Sequence, residues 1–187
     1  MTEPSAETGP LRETDTTALP LRLRELSNKV VTRFHLTPTP EARAALAQEL
    51  SIPKIRKLDF RGTIRAEGKH DWRLDGVLGA TVVQDCVVTA EPVTTRIDTP
   101  VLRVYVRDWD TPTEAETEIP DDDTREELGS IIDPGVVMAE ALALSLPDYP
   151  RADGAELPDS AKDQMVDERP NPFAALAALK TKPEDEA

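Results

Sequence analysis

The sequence predicts an α+β domain: a curled antiparallel sheet (a closed barrel being the extreme of that curl), two main helices, and disordered acidic tails. Three observations lead there. Residues 71–89, DWRLDGVLGATVVQDCVVT, place Trp72, Leu74, Leu78, Ala80, Val82, Cys86 and Val88 on even positions, and Arg73, Asp75, Thr81 and Asp85 on odd ones. Successive strand side chains point to opposite faces, so this alternation predicts a long, half-buried central strand. Residues 55–66 repeat the pattern, with Leu58, Phe60, Gly62, Ile64 and Ala66 against Lys57, Asp59, Arg61, Thr63 and Arg65. Two further segments open on a capping side chain followed by proline, Thr39-Pro40 and Asp133-Pro134, and so predict helices.

In chain order, residues 1–18 are polar and aperiodic and predict a disordered tail. Residues 20–26 and 30–36 predict short strands. After Thr39-Pro40-Glu41, the residues Ala42, Ala45, Leu46, Glu49 and Leu50 follow at helical spacing, and Pro53 ends the helix. Pairing Ala66 with Trp72 across a loop at 67–71 keeps both apolar faces on one side, which fixes the register of a hairpin. Gly76 and Gly79 mark a bend or bulge in its second strand. A turn near Pro92 leads into a strand over 93–106, whose apolar phase slips from Val93 and Ile97 to Leu102, Val104 and Val106. With Pro100 at the break, that predicts a bulge or a change of sheet. Residues 108–127 hold ten acids against one arginine and predict a loop. The second helix runs from 135 to about 146, stopped by Pro147 and Pro150. An acidic linker follows, and Asn171-Pro172 then caps a short apolar helix carrying Phe173, Leu176 and Leu179. The expected organisation is a tail over 1–18, a single domain over 19–150, and the linker with its helix over 151–187.

Charge distribution says more than its sum. Among 187 residues the net charge is −14, which excludes a generally basic nucleic-acid coat. Residues 20–73 nevertheless carry twelve Lys and Arg against six acids, a net of +6 that leaves −20 for the rest. One surface is therefore cation-rich between acidic flanks. A single cysteine allows no intrachain disulfide and suits a reducing cytoplasm. No signal-peptide pattern opens the chain, and the apolar stretch 136–146 is about half a membrane span in length and contains Glu140. The expectation is a cytoplasmic protein with no membrane contact.

Few residues invite chemistry. Cys86 lies beside Asp85, the wrong charge to activate a thiolate, so both Cys86 and Trp72 are assigned structural roles. His35 and His70 lack metal-ligand spacing, and the acidic run lacks the glycine-centred pattern of a calcium loop. Neither a phosphate-cradling glycine loop nor a nucleophile elbow is present, so nothing argues for an enzyme, a metal or a cofactor. The basic face stands apart. In the hairpin register Arg65 opposes Arg73, with Arg61 two residues along and Lys57 and Lys69 at the edges. Like charges so placed repel unless an anion intervenes. RNA phosphate is one such anion; the other reading is that Asp59, Asp71 and Asp75 already balance the face.

Three stretches, VVQDCVVTAEPV, DPGVVMAEALALSLPDYP and NPFAALAALK, together resemble the YceD family of bacterial and plant-plastid proteins. The resemblance implies a non-catalytic factor in accumulation or processing of large-subunit ribosomal RNA, with that RNA or a pre-ribosomal large-subunit particle as partner. Many members carry a second cysteine in a C-x-x-C pattern, where this chain has Thr89. Two other functions stay open: a protein-binding adaptor that uses Phe173, Leu176 and Leu179 as anchors in a partner's groove, and a small-ligand-binding domain.

Overall fold

The computed structural model describes residues 7–108 and 124–156. Its elements run β1 (Glu7–Thr14), β2 (Leu21–Arg22), a 3-10 turn (Leu23–Glu25), β3 (Val30–Leu36), α1 (Pro40–Glu49), β4 (Lys54–Glu67), β5 (Asp71–Asp85), β6 (Pro92–Val106), β7 (Arg125–Glu127), β8 (Ile131–Ile132) and α2 (Pro134–Ser145). Six strands form one sheet in the order β1-β3-β4-β5-β6-β7, and β2 pairs with β8 in a separate ribbon. Residues 1–152 make one compact unit; the second, 153–187, is described only over 153–156.

The class is α+β, but the sheet is mixed and open, where an antiparallel and even barrel-like one was expected. Strands β3 to β6 are antiparallel; β1 runs parallel to β3, and β7 parallel to β6. The connections explain this. Residues 15–29 and 107–124 are each long enough to carry the chain back across the sheet, as parallel neighbours require. Residues 7–14, expected in a disordered tail, are thus an edge strand, and the end of the acidic run supplies another. Both edges are blunted, β1 by the irregular pairing around Gly9-Pro10 and β7 by charged residues.

The hairpin pairs as its alternation dictates, Ala66 with Trp72 and Arg65 with Arg73. Gly76, read as a bend or bulge, makes neither. It sits directly opposite Gly62, and the pairing runs through both without a shift. A Cβ on Gly62 would lie 2.2 Å from the Asp75 carbonyl oxygen and 2.7 Å from the Phe34 ring, and one on Gly76 would lie 2.7 Å from the Phe60 ring. The two glycines are a floor for the Phe34 and Phe60 rings, whose centroids are 5.1 Å apart. The irregularity in β4 lies instead between Ile55 and Lys57.

Strand β6 pairs with β5 in unbroken register past Pro100, so the expected bulge is absent. Its core-facing residues include Ile97, Val101 and Tyr105, and Arg103 stands among them. Arg103 is tolerated because its Nε lies 2.8 Å from Glu126 and a terminal nitrogen 2.9 Å from Glu140 of α2. Burial acts to lower its pKa, but Glu140 and Glu126 together raise it. Leu102 and Val104 simply face the other way.

One face of the sheet holds the core. Phe34, Leu36, Phe60, Ile64, Leu74 and Leu78 are fully buried there, under Met138 and Leu142 of α2 and Leu46 of α1. Asp133 fixes α2: one carboxylate oxygen accepts from Gly135 N–H and Leu19 N–H, each at 2.8 Å. Gly135 is needed because a Cβ would meet the Thr17 carbonyl oxygen at 2.0 Å. At α1, the Thr39 hydroxyl accepts from Ala42 N–H at 3.2 Å, and Pro40 opens the first turn. We expect Gly62→Ala to lose about 2–3 kcal/mol of stability in urea denaturation through overpacking against backbone and ring. A variant as stable as the parent would show that the rings do not depend on the glycine floor.

Candidate nucleic-acid interface

The second face of the sheet is open. Its outward residues follow from the register: Arg33 opposes Thr63 and then Asp75, His35 opposes Arg61 and then Val77, and Lys57 opposes Thr81 and then Arg96. None of the Phe, Tyr or Trp residues in the described structure lies among them; Phe34, Phe60, Trp72 and Tyr105 are in the core, and Tyr149 follows α2.

The structure divides the predicted cations into groups. Arg65 and Arg73 do lie opposite each other, and the anion that relieves them is internal. Arg73 Nε donates to both Asp75 oxygens, at 2.9 and 3.0 Å, and Arg65 Nε lies 3.7 Å from the same carboxylate. Glu67 stands 3.9 Å from Arg73, and the hydrogen bond to Asp75 raises the Arg73 pKa further. Arg61 and Lys57 are exposed and, among the described residues, carry no ion pair. Lys69 is not on this face. It lies in the hairpin turn, where it lines a cleft with His70, Trp72, Arg24 and Arg107.

Two outward basic residues were missed. Arg33 is exposed and without an ion pair among the described residues, and His35 lies 2.5 Å from Asp59 and 3.7 Å from Glu13. Period two through 30–36, anchored on Phe34 as a core residue, would have found both. Further along, Arg96 Nε donates to Asp98 at 2.7 Å, which lowers the Asp98 pKa. The face therefore interleaves acids and bases, and Arg33, Lys57 and Arg61 are among its cations that carry no ion pair within the described residues.

Trp72 is 5% exposed, paired across β5 and β6 with Tyr105. Cys86 is buried too, but it stands one residue beyond β5, in a turn closed by a hydrogen bond from Ala90 N–H to its carbonyl. Its sulfur accepts from the N–H groups of Ala152, Val88 and Thr89 at 3.3, 3.4 and 3.5 Å. The Thr89 hydroxyl and the Ala152 amide lead the effects that bring the thiol from 9.0 down to about 7, against burial, which pushes it up. The turn is also where the chain returns after α2. Gln84 donates to the Pro147 carbonyl at 3.1 Å, and Val87 N–H donates to that of Pro150 at 2.9 Å. Among the described residues no group of His, Cys, Asp or Glu is placed to hold a metal, and no helix is long and apolar enough to cross a membrane. Phe173, Leu176 and Leu179 lie outside the described residues.

A pKa lowered on folding has a signed consequence. The thiolate favours the folded state, so its contribution is complete above about pH 9 and is lost as pH falls through about 7. We expect the stability of the protein relative to Cys86→Ala to rise between these limits and to be flat below them in denaturation series. A difference constant across that range would contradict the hydrogen-bonded thiolate. Labelling of the folded thiol should meanwhile be slow, since access requires the turn to open.

The family model described as large ribosomal RNA subunit accumulation protein YceD matches residues 74–180, more than half of the chain. No curated protein and no solved structure matches it. Two of the stretches that suggested the family, around Cys86 and from Asp133 to Pro150, are the ones that meet at the turn and hold α2 on the sheet. The chain belongs to the YceD family.

Proposed function

We propose that this protein is a non-catalytic factor in large-subunit ribosomal RNA accumulation, and that it contacts RNA phosphates through the open face of its sheet. The observation that supports this is the set of exposed cations Arg33, Lys57 and Arg61, without ion pairs among the described residues, on one side of a hydrogen-bonded sheet. A chain of net charge −14 would otherwise be repelled by RNA, so binding needs a local positive field and falls with salt as counterions return. Arg65 and Arg73 add hydrogen-bond donors but little field, because Asp75 lies between them. Single-stranded bases are usually held by stacking on aromatic rings. With none among the described residues of this face, phosphates are the group it can address, and phosphates carry no sequence information. Discrimination would then come from the assembling particle.

The second reading, an adaptor that binds protein without touching RNA, draws on the outer side of α2 and the segment after it. Val136, Leu144 and Tyr149 are 65%, 77% and 79% exposed. The two readings separate in one experiment, which follows association with large-subunit precursors across a salt series. Replacing Arg33, Lys57 and Arg61 together by Gln should weaken association about tenfold and flatten the salt slope by about 2. Arg65→Gln with Arg73→Gln should do less to binding. If the triple variant folds and keeps both affinity and slope, while Val136→Asp with Leu144→Asp abolishes association, the adaptor reading replaces this one.

A further inference from the structure

A second cationic site lies away from the open face. The 3-10 turn with Arg22 before it, Arg107 just past β6, and residues 128–131 leading into β8 line an open cleft of about 630 Å³, which sets Arg22, Arg24 and Arg107 beside Leu23, Leu128 and Ile131. It shares Leu23, Arg24 and Arg107 with a neighbouring cavity of about 320 Å³ that adds Lys69, His70 and Trp72. We propose that this cleft seats a nucleoside phosphate, its phosphate on the arginines and its base or sugar on the apolar lining.

Charge and rigidity both point that way. Arg22, Arg107 and Lys69 have no ion pair among the described residues, and Arg24 reaches only the exposed Glu25, at 3.9 Å. The described lining of the cleft holds no acid, and Asp71, which lines the neighbouring cavity, accepts from the Arg107 backbone N–H at 3.0 Å. The backbone that carries these cations is held: Arg22 pairs with Ile131, and Leu23 N–H donates to the Ser130 carbonyl at 3.1 Å. Three guanidinium groups around one opening match phosphate oxygens in a way that scattered lysines do not. Inorganic phosphate alone would have no use for the half-exposed Ile131 or for Leu23 and Leu128. The volume is within the range of small-ligand sites. Guanidinium planes also stack on bases, so the rim can serve both halves of a nucleotide.

The nucleotide can come from two sources, a free mononucleotide or one residue of an RNA strand. The inference rests on the RNA reading above only for the second. The test uses the full chain and three probes: AMP, inorganic phosphate, and a fluorescent ten-residue oligouridylate. Each is titrated into the parent, the cleft variant Arg22→Gln/Arg24→Gln/Arg107→Gln, and the open-face variant Arg33→Gln/Lys57→Gln/Arg61→Gln, with thermal unfolding to check folding. Single Arg107→Gln serves if the triple cleft variant is unfolded. We expect AMP to bind more tightly than inorganic phosphate, and the cleft variant to lose about tenfold or more for AMP while the open-face variant does not. Oligouridylate weakened by both variants makes RNA the source. AMP bound with no oligouridylate binding keeps the cleft, makes a free nucleotide its ligand, and removes direct RNA contact from the proposed function. Oligouridylate weakened only by the open-face variant, with no AMP bound, overturns the cleft and leaves that function standing. Equal affinity for AMP and phosphate, or no binding of any probe, also overturns it.

Discussion

The rest of the structure depends on the contact between two aromatic rings and a glycine floor. Phe34 and Phe60 can approach the backbone of β4 and β5 so closely only because Gly62 and Gly76 face each other beneath them. A one-residue slip of either strand would put a side chain under the rings and turn every outward residue inward. This constraint therefore sets more than stability. It decides that Lys57, Arg61 and Arg33 reach solvent on one face, that Trp72 enters the core, and that the hairpin tip with Lys69 and His70 lands beside the cleft.

The family signature reads, in physical terms, as a set of fastenings. Asp133 and Gly135 let α2 start where the chain at residues 17–19 passes close by, with one carboxylate oxygen serving both segments. The segment from Pro147 to Ala152 then bonds back to Gln84, Cys86 and Val87. Thr89, which stands where many relatives carry a second cysteine, stabilises the Cys86 thiolate through its hydroxyl, a job that needs no metal. The matched region begins at residue 74. Arg22, Arg24, Arg33, Lys57, Arg61, Arg65, Lys69 and Arg73 all precede it, while its described part includes the contacts that hold the helix to the sheet. The open-face cations proposed to meet RNA sit on the strands before it, whereas Arg107 of the cleft lies within it.

Much of this was legible in the sequence where burial on one face leaves a period. The hairpin register, the two capped helices and the opposition of Arg65 to Arg73 all follow from alternation and cap chemistry. Edge strands escaped because they bury little: ETGPLRET in β1 has a backbone partner on one side only, and Leu11 remains 42% exposed. Strand β6 misled for the opposite reason. Arg103 occupies a core-facing position, and its charge, matched by acids distant in sequence, looks like a break in phase. The Asp75 carboxylate between Arg65 and Arg73 belonged to an alternative that the sequence left open, and geometry was needed to place it. The cleft was out of reach altogether, since residues 22–24, 107 and 128–131 meet only after two crossovers.

The two cationic sites face different electrostatic problems. On the open face, acids and bases alternate at strand spacing, roughly 5–7 Å, which is shorter than the Debye length of about 8 Å at physiological salt. An approaching phosphate there feels Asp59, Asp75 and Asp98 together with the cations, so the face can orient a backbone but holds it weakly. At the cleft, Arg22, Arg24 and Arg107 are themselves exposed, but no acid stands among the described residues that line it with them. A protein carrying −14 overall thus offers an anion one small site whose described lining has no acid, while its net charge opposes polyanions. That arrangement favours a strand end, a loop or a single unstacked nucleotide over a long duplex, because a net charge of −14 repels a long polyanion more than a short one.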